Sequence, residues 1–343
     1  MEMLHKTLFG SDLGQLAELC AAEGWPRFTA GQLARWLYKR FVEDPARMTD
    51  QPLPRRERLS ALFGPALTPP MRESRSADGT KKYLFQTAEG HFIESAYIPD
   101  GDRATLCVSS QSGCRMGCRF CATGRQGLQQ SLTTAEILNQ IVSLPERDRL
   151  TNLVFMGMGE PLDNTDNLLR TLAILTADWG FGWSPTRITV STAGVVPELR
   201  RFLDATNVHL AVSLHNPFPE ERAEIMPVER AWPIAEVADI LRGYDFSHQR
   251  RVSFEYIVLA GLNDSPRHIR ELCRLLNGIK CRINLIRFHK IPGSPYFSPD
   301  DAAMIRFRDT LTAKGIQTTI RASRGEDIQA ACGLLSTAEQ QAG

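Results

Sequence analysis

The 343-residue sequence predicts an α/β fold: a partial (β/α)6 TIM-like barrel with a small N-terminal helical accessory domain. Three observations predict it. From about residue 104 onward, short apolar runs alternate with amphipathic stretches. The loop after the first of these runs carries a dense cluster of cysteines. Later runs end on turns rich in glycine and polar residues. In parallel α/β folds the loops at the C-terminal strand ends carry the chemistry, so a cysteine loop after the first strand falls where a site belongs.

Residues 1 to about 70 read as helical. The run from Asp12 to Cys20 and the run from Thr29 to Val42 both place apolar residues at helical spacing. The second carries Arg35, Lys39 and Arg40 beside Trp36 and Phe41, and Arg27 to Arg58 holds eight Arg/Lys against four Asp/Glu. A solvated helical face explains such charge; an RNA-contacting surface, basic residues interleaved with aromatics, is the alternative. Pro65, Pro69 and Pro70 mark a link. Residues 71–100 read as linker and hairpin, with β-like runs at Lys81–Gln86 and His91–Ile98 about Glu89-Gly90. A third run, Ala104 to Ser109, enters the cysteine loop, opening a core predicted over 101–335, with a tail at 336–343.

Beyond the loop the predicted strands are Asn152–Met156, Arg187–Ser191, His209–Leu214, Val252–Leu259, Arg282–Phe288 and Gln317–Arg321. The predicted helices between them are Thr133–Leu144, Asp166–Leu175, Val196–Leu203, Ile234–Leu241, Pro266–Leu276 and Pro299–Lys314. The first of these opens on Thr133-Thr134-Ala135-Glu136, a capping-box pattern. About six such units suit an incomplete barrel better than an open doubly wound sheet.

Composition is that of an ordinary globular chain, 43% hydrophobic and 23% charged, and a net charge of +1 excludes a global basic field. No run of eighteen apolar residues and no signal-peptide profile is present, so a cytoplasmic protein without membrane partners is expected, with nothing to indicate an obligate dimer. Its eight cysteines are then expected to be reduced, metal-bound or catalytic.

Cys114, Cys118 and Cys121 are spaced C-x3-C-x2-C among Gly113, Gly117 and Gly124. Thiolates are the usual ligands of iron–sulfur clusters, commonly four to a cubane. Three ligands leave one iron open, as a catalytic zinc keeps an open position. A zinc knuckle, or three unrelated buried cysteines, is the plainer alternative. The spacing, with Phe120 before the third cysteine, resembles the radical S-adenosylmethionine (SAM) motif.

The strand ends supply further polar groups: Gly159 and Glu160 within Gly157-Met158-Gly159-Glu160-Pro161-Leu162, then Ser191, then Ser213-Leu214-His215, then His289. Each alone reads as a helix cap or a structural group; at successive strand ends they read as one site. Cys107 lies on the strand feeding the loop, and Cys332 follows Arg324-Gly325-Glu326-Asp327 in a polar, small-residue segment. A buried small hydrophobe is the bland reading of Cys332, and a reactive thiol the other. Cys20, Cys273 and Cys281 read as packing.

These motifs, in this order over nearly the whole chain, resemble the RlmN/Cfr family of radical SAM RNA methyltransferases. The resemblance implies a radical SAM-type barrel with a [4Fe–4S] cluster on Cys114, Cys118 and Cys121. It also implies SAM bound by Gly159, Glu160, Ser191, Ser213, Leu214, His215 and His289. His289 departs from the family pattern, which has Asn there; imidazole can replace one of the amide's adjacent hydrogen bonds but not both side by side, since its donor and acceptor lie on separate ring nitrogens. Cys332 would carry a methyl group, Cys107 would resolve the RNA adduct by forming a disulfide with it, and Glu94 would accept a proton from the adenine. The implied substrates are adenosine in the peptidyl-transferase loop of 23S rRNA and adenosine 37 of some tRNAs, with a low-potential flavodoxin- or ferredoxin-type electron donor. C2 is the expected target carbon, with a Cfr-type C8 enzyme as the near alternative. A cluster- or zinc-binding RNA module and a glycyl-radical activase are the more distant ones.

Overall fold

The computed structural model describes residues 7–246 and 252–337; residues 1–6 and most of the 336–343 tail lie outside them. Three helices open the chain: α1 (Leu13–Ala22), α2 (Thr29–Tyr38) and α3 (Leu53–Leu62). Asp12 and Gln15 cap α1 reciprocally, each side chain accepting from the other's backbone N–H. α2 ends short of Val42; Phe41 adopts a left-handed conformation with φ 52°, which a helix cannot continue. Tyr38 ties this segment down. Its hydroxyl donates to the Ser11 carbonyl at 2.6 Å and accepts from Gly10 N at 3.0 Å. Its ring packs within about 6 Å of Trp179 and Phe181, so the helical segment and the barrel share one core.

The strands follow as β1 (Arg72–Arg75), β2 (Lys81–Gln86), β3 (Phe92–Asp100) and β4 (Arg103–Cys107), each antiparallel to the one before. The segment expected as linker and hairpin is thus continuous with the main sheet. A short pair, β5 (Gln111–Ser112) and β6 (Gln130–Ser131), frames the cysteine loop and helix α4 (Ala122–Gln126). Alternation then takes over: α5 (Thr134–Val142), β7 (Asn152–Phe155), α6 (Thr165–Thr176), β8 (Ile188–Thr192), α7 (Val196–Ala205) and β9 (His209–Ser213). It continues through α8 (Pro219–Ile225), α9 (Ile234–Gly243), β10 (Val252–Val258), α10 (Pro266–Leu275), β11 (Cys281–Arg287), α11 (Asp301–Ala313) and β12 (Gln317–Ile320).

Strands β4, β7, β8, β9, β10, β11 and β12 pair in that order, all parallel, so the six expected units are followed by a seventh strand. The other side of β4 is taken by antiparallel β3, and the sheet remains an open arc. All seven residues of β10 are buried, the pattern of a central parallel strand covered on both faces. Facing inward, Ser213, Glu255, Asn284 and Thr319 are register partners across four neighbouring strands. They form a polar layer joined by hydrogen bonds from Asn284 to Glu255 (2.8 Å) and Thr319 to Asn284 (2.9 Å). No helix of the described residues is long and apolar enough to cross a membrane.

Candidate active site

The loop after β4 is built by close backbone approach. Gly113 has φ 75°, and a Cβ there would lie 1.7 Å from the Gly127 carbonyl, the group that accepts from Cys114 N at 3.0 Å. Only glycine fits such a position. Gly159, φ 100°, is also held close: a Cβ there would lie 2.6 Å from Gln111 Cβ. Gln111 then stitches the two loops together: its Oε1 accepts from Glu160 N (2.9 Å) and its Nε2 donates to Asp163 (2.8 Å).

Cys114, Cys118 and Cys121 face one cavity with Gly159, Glu160, Ser191, Ser213 and His215. Sequence positions spread over a hundred residues therefore meet at the C-terminal ends of β4, β7, β8 and β9. Leu214 lies wholly buried behind them. Burial pushes the Cys114 thiol up to about 12, and burial with the neighbouring thiols drives Cys118 well above its usual range. Cys121 is raised for the same first reason. Among the described residues no three His, Cys, Asp or Glu side chains close on a single metal-ion position. Three thiols that repel one another as thiolates, bordering a shared cavity, fit a cationic cluster that would draw them into the charged form.

Glu160 is one of the two carboxylates lining this cavity, beside Glu255, and is 5% exposed. Its oxygens accept from Ala193 N (2.8 Å) and Leu162 N (3.1 Å), yet burial outweighs those bonds and raises it to about 7. His215 is pinned with φ 56°, edge-on to Phe120 at 4.7 Å between ring centres. Its Nδ1 accepts from Ile257 N at 2.9 Å, which leaves Nε2 as the donor. Burial lowers its pKa to about 3, so the ring is neutral.

A second cavity carries Cys107 and Cys332, brought together from the first barrel strand and the segment after the last. Cys332 and Arg321 border both cavities, so the two share a wall. Both cysteines are free thiols, Cys107 buried and Cys332 exposed. Burial, then the neighbouring Cys332, pushes Cys107 up to about 12. His289 lines this second cavity, where its Nδ1 meets Glu326 at 3.3 Å. Glu94 lies outside both cavities' lining. It is 1% exposed, paired to Lys82 at 3.0 Å and accepting from Ser336 N at 3.1 Å; burial raises its pKa against the opposing Lys82. Cys20 is buried in the core, and Cys273 and Cys281 pack against it.

Three charged residues escaped the sequence reading. Arg222, fully buried on α8, pairs with Glu229 and donates to Leu214 O (2.9 Å), Ser213 O (2.9 Å) and Ala193 O (3.0 Å), fastening the ends of β8 and β9 together. Glu255 and Arg321 meet at 3.4 Å inside the barrel. A polar residue at a strand end was signal enough to find Arg321; nothing in the helix Pro219–Ile225 marks Arg222 as buried.

An open parallel barrel with a three-cysteine loop after its first strand defines a radical SAM protein, and residues 108–276 match the Radical SAM superfamily. Residues 6–63 match the ribosomal RNA large subunit methyltransferase N-terminal domain. "Probable dual-specificity RNA methyltransferase RlmN" of Bacteroides fragilis is 55% identical, with 97% of each chain covered. The "Dual-specificity RNA methyltransferase RlmN" of Bdellovibrio bacteriovorus is 38% identical over 96% of this chain and 83% of that one. The crystal structure of a radical SAM methyltransferase from Sphaerobacter thermophilus superposes with a TM-score of 0.88 at 42% identity, covering 96% of this chain and 98% of that one. The chain belongs to the RlmN family of radical SAM RNA methyltransferases.

Proposed function

We propose that the chain methylates C2 of an adenosine in the peptidyl-transferase loop of 23S rRNA, and adenosine 37 of some tRNAs, through an S-methylated Cys332. The observation that carries this is the shared wall: Cys332 borders the three-cysteine cavity on one side and Cys107 on the other. In this reading Cys114, Cys118 and Cys121 hold a [4Fe–4S] cluster. Gly159, Glu160, Ser191, Ser213, Leu214, His215 and His289 hold SAM, and Glu160 as carboxylate faces its amino group. When bound, cluster and SAM supply a 5′-deoxyadenosyl radical, able to take hydrogen from a methyl group, with the electron coming from a low-potential flavodoxin- or ferredoxin-type donor.

The chain's own residues do the rest. Cys332, exposed, attacks the methyl carbon of one SAM as a thiolate nucleophile; the sulfonium–carbon bond breaks and S-adenosylhomocysteine leaves. Cys107, held as the thiol by burial, does not compete for that methyl. Once the carried carbon is joined to adenine, the adduct must give up one electron, which the cluster would accept, and Glu94 takes the ring proton; its raised pKa makes it the stronger base. Cys107, deprotonated in turn, attacks the sulfur of Cys332; the sulfur–carbon bond breaks, the carbon takes up a proton to complete the methyl group, the methylated base leaves, and a disulfide remains for reduction.

Mass spectrometry of Cys332 in protein from cells tests this, with an S-methyl mark expected, and Cys107→Ala is expected to trap an RNA adduct. An unmodified Cys332 in active enzyme refutes the carrier role. Nucleoside analysis is expected to show 2-methyladenosine; 8-methyladenosine alone would reassign the carbon.

A further inference from the structure

The two cavities that share Cys332 differ in charge. The three-cysteine cavity is lined by two carboxylates, Glu160 and Glu255, against one guanidinium, Arg321. The Cys107–Cys332 cavity is lined by Arg287, Arg321, Arg324 and His289, with no carboxylate among its lining residues. Acids do stand near these cations, but outside the lining. Arg287 meets Asp301 at 2.6 Å, Arg324 meets Asp100 at 3.1 Å and His289 meets Glu326 at 3.3 Å. The side chains of those three acids are 77%, 71% and 66% exposed. Exposed pairs of this kind are worth at most about 1 kcal/mol, so each guanidinium is free to exchange its partner. A phosphodiester is the partner that a guanidinium fork fits best.

We propose that Arg287 and Arg324 form a phosphodiester-binding subsite at the mouth of the Cys107–Cys332 cavity, gripping the RNA backbone beside the nucleotide whose base enters. This rests on the reading of the chain as an RNA methyltransferase. Arg321 is not part of the grip, since Glu255 holds it from inside the barrel. The two gripping residues come from the end of β11 and from the segment after β12, so they flank the cavity rather than cluster on one side. A base drawn out of its stack requires its backbone to be held where it turns. Phosphate contacts do this without reading sequence, so one subsite serves a ribosomal loop and an anticodon loop alike.

Fluorescence anisotropy of a labelled anticodon stem–loop RNA, titrated with the full chain over a salt series, tests the subsite. Arg287→Gln and Arg324→Gln are each expected to weaken binding several-fold and to lower the slope of log affinity against log salt by about 1. Arg274→Gln, an equal loss of charge on the outer helix α10, is expected to leave the slope unchanged. Should a Gln variant fail to fold, Arg287→Lys and Arg324→Lys replace it. They keep the slope but lose affinity, because an ammonium supplies charge without the fork. Rim variants with the unaltered slope, or an Arg274→Gln shift of equal size, overturn the subsite while leaving the functional reading intact. An unaltered chain that binds no RNA overturns both.

Discussion

Glu160 gives the most quantitative test of the site. Its carboxyl is raised from 4.5 to about 7, chiefly because burial penalises its charge, while the bonds from Thr192, Ala193 N and Leu162 N only partly offset that. A group whose folded pKa is raised binds its proton more tightly when folded. The stability it contributes is complete below pH 4.5 and is lost as pH rises through 7. The loss amounts to about 3 kcal/mol between those limits. Glu160→Gln removes the titration and keeps the shape. In the cofactor-free protein, the variant should therefore gain on the unaltered chain as pH goes from 5 to 8. Thermal melts of both across that range measure it, and taking the difference cancels His215. That ring, lowered to about 3, loses stability in both proteins as pH falls below its ordinary value. A difference that stays flat from pH 5 to 8 would refute the burial argument. SAM affinity should follow the same logic: under the proposed pairing of its ammonium group with the Glu160 carboxylate, binding by the unaltered chain should weaken as pH drops below 7.

Three further outcomes are expected. Arg222→Met strands the Glu229 carboxylate and leaves three carbonyls without their donor, costing about 3–5 kcal/mol; a melt within 1 °C of the unaltered chain would rule this out. Gly113→Ala places a Cβ against the Gly127 carbonyl and should cut bound iron per reconstituted chain several-fold, read by iron assay and cluster absorbance. Lys82→Met removes the nearest cation from buried Glu94 and leaves Ser336 N and the more distant Arg72 to face its charge, raising its pKa further. The variant's penalty should reach about 3–5 kcal/mol at pH 8 and shrink toward pH 5, and an equal penalty at both would count against the pairing.

What the sequence made legible was local or periodic. The cysteine loop declares itself by spacing, and β7 to β11 by apolar runs bounded by turns. Glu160, Ser191, Ser213 and His215 could be placed because strand ends of one parallel sheet face one side. The same rule locates His289 at a strand end but not in a particular cavity; that depends on how far around the arc its strand lies. Glu255 was hidden inside a run that is buried on both faces, where no alternation tells lumen from exterior. Arg222 was hidden more thoroughly. Pro219-Glu220-Glu221-Arg222 reads as a solvated helix start, and only the tertiary arrangement turns that arginine beneath the ends of β8 and β9. β2 and β3 were visible as strands and β1, four mostly exposed polar residues, was not; their union with the barrel follows from β4 pairing on both edges.

The placement of Cys332 follows from what anchors the segment after it. Ala122 N donates to the Gly333 carbonyl at 2.8 Å, and Thr123 Oγ1 donates to Leu335 O at 2.5 Å. Gln126 Nε2 donates to Thr337 Oγ1 at 2.9 Å. All three anchors lie on α4, which begins immediately after Cys121. Ser336 N meanwhile reaches Glu94 on β3. The segment carrying one reactive thiol is therefore fastened to the helix that closes the three-cysteine loop and to the carboxylate proposed as base. Ordering that loop and positioning Cys332 are one event, not two. A shift of α4 by even one ångström would move the thiol relative to both cavities, and positional errors of that size can cost about a hundredfold in rate. This accounts for the dense bonding of a segment that would otherwise be a loose surface loop: the proposed methyl carrier needs the accuracy of the barrel and borrows it through α4.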